Sequence, residues 1–120
     1  MAINIQTPNG EITLTNDVIS TVVGAAVTDN YGVVGMVSRN FIRDGITDIL
    51  GQDNYSRGIV ISQNEDNGAV VVDIYILVQY GTKISVICKN IQEAVIYNVE
   101  SLLGFELDQV NVHVQGVNAD

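Results

Sequence analysis

Histidine and cysteine, two residue types that are common at catalytic and metal-binding sites, each occur once in this sequence. His113 stands between Asn111 and Gln115 in an alternating segment, a pattern typical of the solvated face of a strand. Cys88 lies within an apolar helical pattern, where a free cysteine behaves as a small hydrophobic side chain. One Cys and one His are too few for a Cys/His zinc site. We therefore expect no catalytic residue, no cofactor and no metal ion, and hence no enzyme.

His113 also allows a second interpretation, which is acid–base catalysis. A carboxylate on the same face of the sheet, such as that of Asp73, would orient the imidazole ring. The sequence does not determine which strands are neighbours, so the pairing of these two residues is a hypothesis. A small acid–base enzyme centred on His113 therefore stays open.

The charge balance bears directly on nucleic-acid binding. The chain has 14 acidic and 5 basic residues and a net charge of -9 at pH 7, and such a chain repels phosphate backbones. No nucleic acid is therefore expected as a partner. Residues 32–35 nevertheless match Gly-x-x-Gly, the loop with which KH domains hold a nucleic-acid backbone. A small KH-like nucleic-acid-binding module is the alternative function.

Most of the basic residues are close together in the sequence, namely Arg39, Arg43 and Arg57. Acidic residues are interleaved with them: Asp44, Asp48 and Asp53. This alternation of opposite charges favours a salt-bridged surface over an anion-binding site.

Length and composition predict a single domain over residues 1–120. Hydrophobic residues make up 47% of the chain and charged residues 16%, so apolar burial can offset the entropy of ordering the chain. Residues 1–10 are predicted to form a strand and a turn, and residues 118–120 a flexible tail. The N-terminus lacks the basic, apolar pattern of a secretion signal, and no apolar run approaches the ~18 residues that span a bilayer. We expect a soluble, cytoplasmic protein without direct membrane insertion.

In the first half of the chain, the spacing of hydrophobic residues changes several times. The successive spacings predict a hairpin, a helix, a strand, a short helix and a loop. These elements cover residues 1–14, 16–29, 33–38, 40–50 and 52–57. Thr15 is a typical N-cap for the first helix. The short helix is predicted from a cap at Asn40 and from apolar residues at helical spacing: Ile42, Ile46, Ile49 and Leu50.

The second half has clearer patterns, which predict two strands, a long helix and a last strand over residues 59–63, 69–80, 84–103 and 108–117. One face of the long strand is apolar throughout: Val70, Val72, Ile74, Ile76, Val78 and Tyr80. The other face is mixed, which is typical of a sheet covered on one side only. The predicted fold is α+β, a two-layer domain with two main helices on one face of a mixed, mainly antiparallel sheet and one short extra helix.

Three large side chains of the long helix lie outside its predicted core stripe. The stripe consists of residues at helical spacing: Ile84, Ile87, Cys88, Ile91, Val95, Val99 and Leu102. Val86, Ile96 and Tyr97 are outside it, which is more large side chains than a solvated helix face normally has. Either the sheet curves further and buries them, or they form an interaction surface for a second copy or a membrane-tethered partner.

Several segments together resemble the alkaline shock protein family of Gram-positive bacteria. The matching segments are residues 10–19, 31–39, 44–46, 50–51, 73–84 and 110–117. They occur in order and without gaps from about residue 3 to residue 117. The chain is most similar to the short, single-domain members. One departure is the apolar start of the last helix at Val86, Ile87 and Cys88, where such relatives often have charged or small residues.

The resemblance implies a non-catalytic interaction or scaffold protein of the cell-envelope (alkaline) stress response. It implies a cytoplasmic location, with association to the membrane through a membrane-anchored protein partner. A homo-oligomer is also compatible with it. The family has no established catalytic or ligand-binding residues, so the resemblance assigns none here.

Overall fold

Strands and helices alternate along the parts of the chain that the computed structural model describes, residues 2–39 and 49–118. In order, these elements are β1 (Ala2–Thr7), β2 (Gly10–Thr15), α1 (Asn16–Thr28), β3 (Val33–Met36), a 3-10 helix (Gln52–Gly58), β4 (Ile59–Gln63), β5 (Val70–Gln79), α2 (Ile84–Asn98), a π-helical turn (Val99–Leu103) and β6 (Gln109–Asn118). The α+β fold predicted from the sequence is confirmed.

Strand β5 is the centre of the main sheet, and the other three strands pair with it. Strand β6 runs parallel to β5 along its length, and α2 supplies the long crossover that a parallel pair requires. On the opposite edge, β4 pairs with the first half of β5 and β3 with its second half, both antiparallel. The sheet is therefore mixed and mainly antiparallel, as predicted.

The two helices pack on one face of this sheet and enclose the core. The core side chains of β5 are the apolar residues of one face: Val70, Val72, Ile74, Ile76 and Val78. The helices contribute Ile19, Val23 and Val27 from α1 and Ile87, Ile91, Val95 and Val99 from α2 with its π-helical turn. The prediction for Tyr80 is wrong, because this residue follows the end of β5 and is 71% exposed.

The N-terminal hairpin forms its own two-stranded sheet instead of joining the main one. Its register is antiparallel from Ala2↔Thr15 to Thr7↔Gly10. Ile3 is buried in the core, while most of β2 is exposed. The next element begins as predicted, because the Thr15 hydroxyl accepts a hydrogen bond from the Val18 amide at 3.4 Å and caps α1.

The prediction of a loop over residues 52–57 is wrong, because Gln52–Gly58 forms a 3-10 helix. Tyr55 holds this segment against α1, where its ring occupies the space left by the missing side chain of Gly24. The Tyr55 hydroxyl also lies 3.3 Å from Thr28 Oγ1. This long-range contact gives order to a segment whose local sequence is polar.

The predicted short helix lies mostly on residues 40–48, outside the described residues. Its last two positions, Ile49 and Leu50, are not helical, and Leu50 instead forms a β-bridge with Met36. At the other end of the chain, Asn118 belongs to β6. The predicted tail therefore cannot begin at residue 118, and residues 119 and 120 lie outside the description.

Two residues of the predicted α2 stripe, Ile84 and Leu102, are exposed. Ile84 is the first residue of the helix, and Leu102 lies in the π-helical turn, where the wider turn changes the angular spacing of side chains. Gly104 ends the segment as predicted. Its φ of +80° lies in the left-handed region, and its amide donates to Glu100 O at 3.1 Å.

We expect Ile74→Ala to lower the free energy of unfolding by about 2–5 kcal/mol, because Ile74 is fully buried at the centre of β5 and truncation leaves a cavity. The exposed Ser62 on β4 is the control, and Ser62→Ala should change stability by less than about 0.5 kcal/mol. Urea denaturation midpoints measure both effects. Equal shifts of the two midpoints would contradict this register of the sheet.

Candidate interaction surface

The outer side of α2 carries the three side chains predicted to form an interaction surface. Val86 is 46%, Ile96 38% and Tyr97 70% exposed. The sheet therefore does not bury them, and this alternative for the three residues is wrong. Their role in binding stays a prediction. We refer to Val86, Ile96 and Tyr97 as the candidate surface.

The candidate surface extends along the helix between two grooves. Val86 lines a cavity of about 280 Å³ at the start of α2, together with the exposed Tyr31. Ile96 lines a second groove of about 430 Å³ between α2 and β6. Tyr97 follows Val86 by about three helical turns and lies on nearly the same side of the helix. The candidate surface thus has one large side chain near the start of α2 and two near its end, with the exposed Lys89 and Glu93 between them.

The groove beside Ile96 is bounded by the open edge of β6. Among the described residues, β6 pairs with β5 alone. The Gln92 side chain donates to Val110 O at 2.9 Å, so the backbone groups of Val110 point away from β5. Because these groups alternate along a strand, those of Val112 face the same open edge.

The open edge of β6 is unusual in its composition. Residues Gln109–Asn118 include no Asp, Glu, Lys, Arg or Pro, the residues with which proteins usually protect exposed edges. Such an edge can accept an added strand from another chain. This feature was missed in the sequence, although the uncharged segment in an acidic chain is a signal for it.

The structure brings His113 and Asp73 together, as one hypothesis from the sequence required. His113 Nε2 lies 2.9 Å from Asp73 Oδ1, and the Asn111 side chain donates to the same oxygen at 3.1 Å. The His113 ring stacks on Tyr75, with centroids 4.6 Å apart. The parallel register, with Tyr75 opposite His113 and Asp73 opposite Asn111, produces this cluster.

These contacts join β5 to β6, so the cluster stabilises the pairing of the two strands. The imidazole and the carboxylate are both partly exposed, 39% and 25% respectively. The contacts of His113 are a carboxylate and an aromatic ring, and neither is a nucleophile of the serine or cysteine type. Within the described ranges, no three His, Cys, Asp or Glu side chains are grouped to hold a metal ion.

The Gly-x-x-Gly segment is not a free loop. Gly32 is in a turn with a φ of +88°, where the Ile87 side chain occupies the space beside it. Gly35 belongs to β3, and Ile49 packs against it. Gly35 is buried within a strand and Gly32 is half-buried in a packed turn, so this segment does not form the free loop on which the KH-like alternative depends.

Two of the clustered arginines line one cavity of about 480 Å³. Arg39 and Arg57 share it with Asn16, Ser38 and Ser56. The remaining members of the predicted charge cluster at positions 43, 44 and 48 lie outside the described residues. Within the described residues, neither guanidinium forms an ion pair with a carboxylate.

Comparison with known proteins identifies relatives over nearly the full chain. The model of the alkaline shock protein family, described as having a cell envelope-related function, matches residues 4–119. The uncharacterized protein YloU of Bacillus subtilis strain 168 is 45% identical over 117 residues, which cover 98% of this chain and 96% of the relative. The uncharacterized protein Spy1614 of Streptococcus pyogenes serotype M6 is 46% identical over 117 residues, covering 98% and 95%.

A further Streptococcus pyogenes protein, the uncharacterized Spy1535, is 30% identical over 111 residues, covering 92% of this chain and 81% of the relative. No solved structure matches the chain significantly. In residues 2–39 and 49–118, none of the helices has the length and hydrophobicity needed to cross a membrane.

We expect the Cys88 thiol to react slowly with a disulfide reagent near neutral pH. Burial raises the pKa of Cys88 above its ordinary value of 9.0, so the reactive thiolate is scarce until the solution is strongly alkaline. The reaction rate, followed from neutral to alkaline pH, should be lower for the native protein than for the urea-unfolded chain. Equal rates at neutral pH would show that the thiol is not shielded.

Proposed function

We propose that this protein is a non-catalytic scaffold protein. The chain belongs to the alkaline shock protein family, whose function is cell envelope-related. In this proposal it acts in the cytoplasm during cell-envelope stress, through contacts with other protein chains. The related proteins carry names that state no activity, so the scaffold role and the location are our proposal.

The candidate surface is the observation that carries this proposal. Three large side chains on one helix remain exposed although the same helix supplies four buried residues to the core, counting its π-helical turn. Exposed apolar groups of this kind are typical of protein–protein contact sites. The exposed Tyr31 beside Val86 enlarges the apolar area at one end of the helix.

The groove between α2 and β6 supports a contact with a protein chain rather than with a small molecule. Ile96 provides an apolar wall, and the neighbouring open edge of β6 provides backbone donors and acceptors. An extended segment of a partner can pair with such an edge while one of its side chains enters the groove. A membrane-anchored partner would then hold the protein at the membrane.

The test is a double variant, Val86→Glu with Ile96→Glu, compared with the wild type. Because both positions are exposed, we expect the melting temperature to stay close to that of the wild type. Carboxylates at these positions should weaken association with the partner by about tenfold or more. Sedimentation velocity measures self-association, and affinity capture from cell extract with mass spectrometry measures binding to other proteins.

Two controls separate the loss of apolar contact from the change in charge. Val86→Gln with Ile96→Gln keeps the net charge and should also lose the contact. Ala25→Glu with Asn54→Glu adds two negative charges at exposed positions outside the candidate surface and should still bind. A double variant that is folded and still binds the same proteins would refute the proposed surface, as would a wild type that associates with nothing.

A further inference from the structure

The cavity lined by Arg39 and Arg57 concentrates positive charge in an acidic protein. Five residues of the chain are basic and 14 are acidic, yet two of the five basic side chains line this one cavity. We infer that the cavity binds a phosphate group, carried by a small molecule or by a lipid headgroup. Its volume of about 480 Å³ is in the range of small-molecule sites, about 300–1,000 Å³.

The backbone holds the two arginines side by side. The Arg39 amide donates to Arg57 O at 3.1 Å, which places the two residues on neighbouring backbone segments. Ile59 and Ile61 of β4 line the same cavity and are themselves buried in the core. The bases of both arginines are thus attached to a rigid part of the fold, and a pair of guanidinium groups can bind the oxygens of one phosphate.

The other polar groups of the cavity suit the same ligand. The hydroxyl of Ser56 belongs to the lining and can donate a hydrogen bond to a phosphate oxygen. Asn16, also in the lining, is the first residue of the 13-residue helix α1, whose N-terminal end has partial positive charge. The buried Oδ1 of Asn16 has no hydrogen-bond partner among the described residues.

The charge of the whole chain selects among phosphate ligands. A net charge of -9 repels a long polyanion over its length, and this cost grows with each additional phosphate near the surface. A ligand with one or two phosphate groups meets the local field of Arg39 and Arg57 with little of that repulsion. The inference is independent of the proposed contact surface on α2, because the two sites share no residue.

The test uses the full-length protein and sodium phosphate or pyrophosphate as the probe, at constant ionic strength. Amide resonances in NMR spectra should shift in a saturable manner at the start of α1 and at Ser56 and Arg57. Arg39→Ala and Arg57→Ala should each weaken binding by about tenfold or more. The double variant Arg39→Ala with Arg57→Ala is compared with a matched control, Lys83→Ala with Lys89→Ala. The control also removes two positive charges, but outside the cavity, and should leave binding intact.

A second arm distinguishes the two sources of the phosphate group. Vesicles of phosphatidylcholine with phosphatidic acid are compared with pure phosphatidylcholine vesicles in a co-sedimentation assay. Binding to the first type that depends on Arg39 and Arg57 assigns the headgroup, whereas binding of the soluble probes alone assigns a small phosphorylated molecule.

Absence of binding in both arms overturns the inference, and so does equal weakening in the arginine and lysine variants. If the arginines serve ion pairs within the chain instead, neither probe should bind. In that case the double arginine variant should also melt at a lower temperature than the lysine control, although both have the same charge.

Discussion

Strand β5 is hydrogen-bonded along both edges, and the position of every other element in the main sheet follows from this constraint. Its inner face is apolar and fully covered, so α1 and α2 must both lie on that side. Strand β6 pairs with one edge of β5 in parallel, and this parallel pairing requires the α2 crossover. Strands β4 and β3 pair with the two halves of the other edge. A change that disturbs β5 would therefore affect both layers at once.

The same arrangement determines which surfaces remain available for binding. Because α2 serves as the crossover, its inner side is buried and its outer side presents Val86 and Tyr97. Because β6 lies at the end of the sheet, no strand of residues 2–39 or 49–118 pairs with its outer edge, which adjoins the helix at Ile96. The exposed side of α2 and the edge of β6 thus follow from the topology, and it is on these two elements that we propose a contact with another protein chain.

Local sequence patterns determined the elements and the inner faces of the sheet and helices. The alternation in Val70–Gln79 defines a strand with one apolar face because side-chain direction has a period of two in any strand. The N-cap at Thr15 and the left-handed Gly104 were also predictable, because a helix end is closed by residues within one turn of it. The family, too, was recognisable from segments spread over nearly the whole chain.

Only the tertiary structure decided which elements are neighbours, since strand order leaves no local pattern. The parallel pairing of β5 with β6 placed Asp73 beside His113, which are distant in sequence. The packing of Tyr55 on Gly24 turned a polar segment into a helical one. The same long-range packing brought Arg39 and Arg57 to one cavity, because the energy of these contacts depends on the folded chain and not on nearby residues.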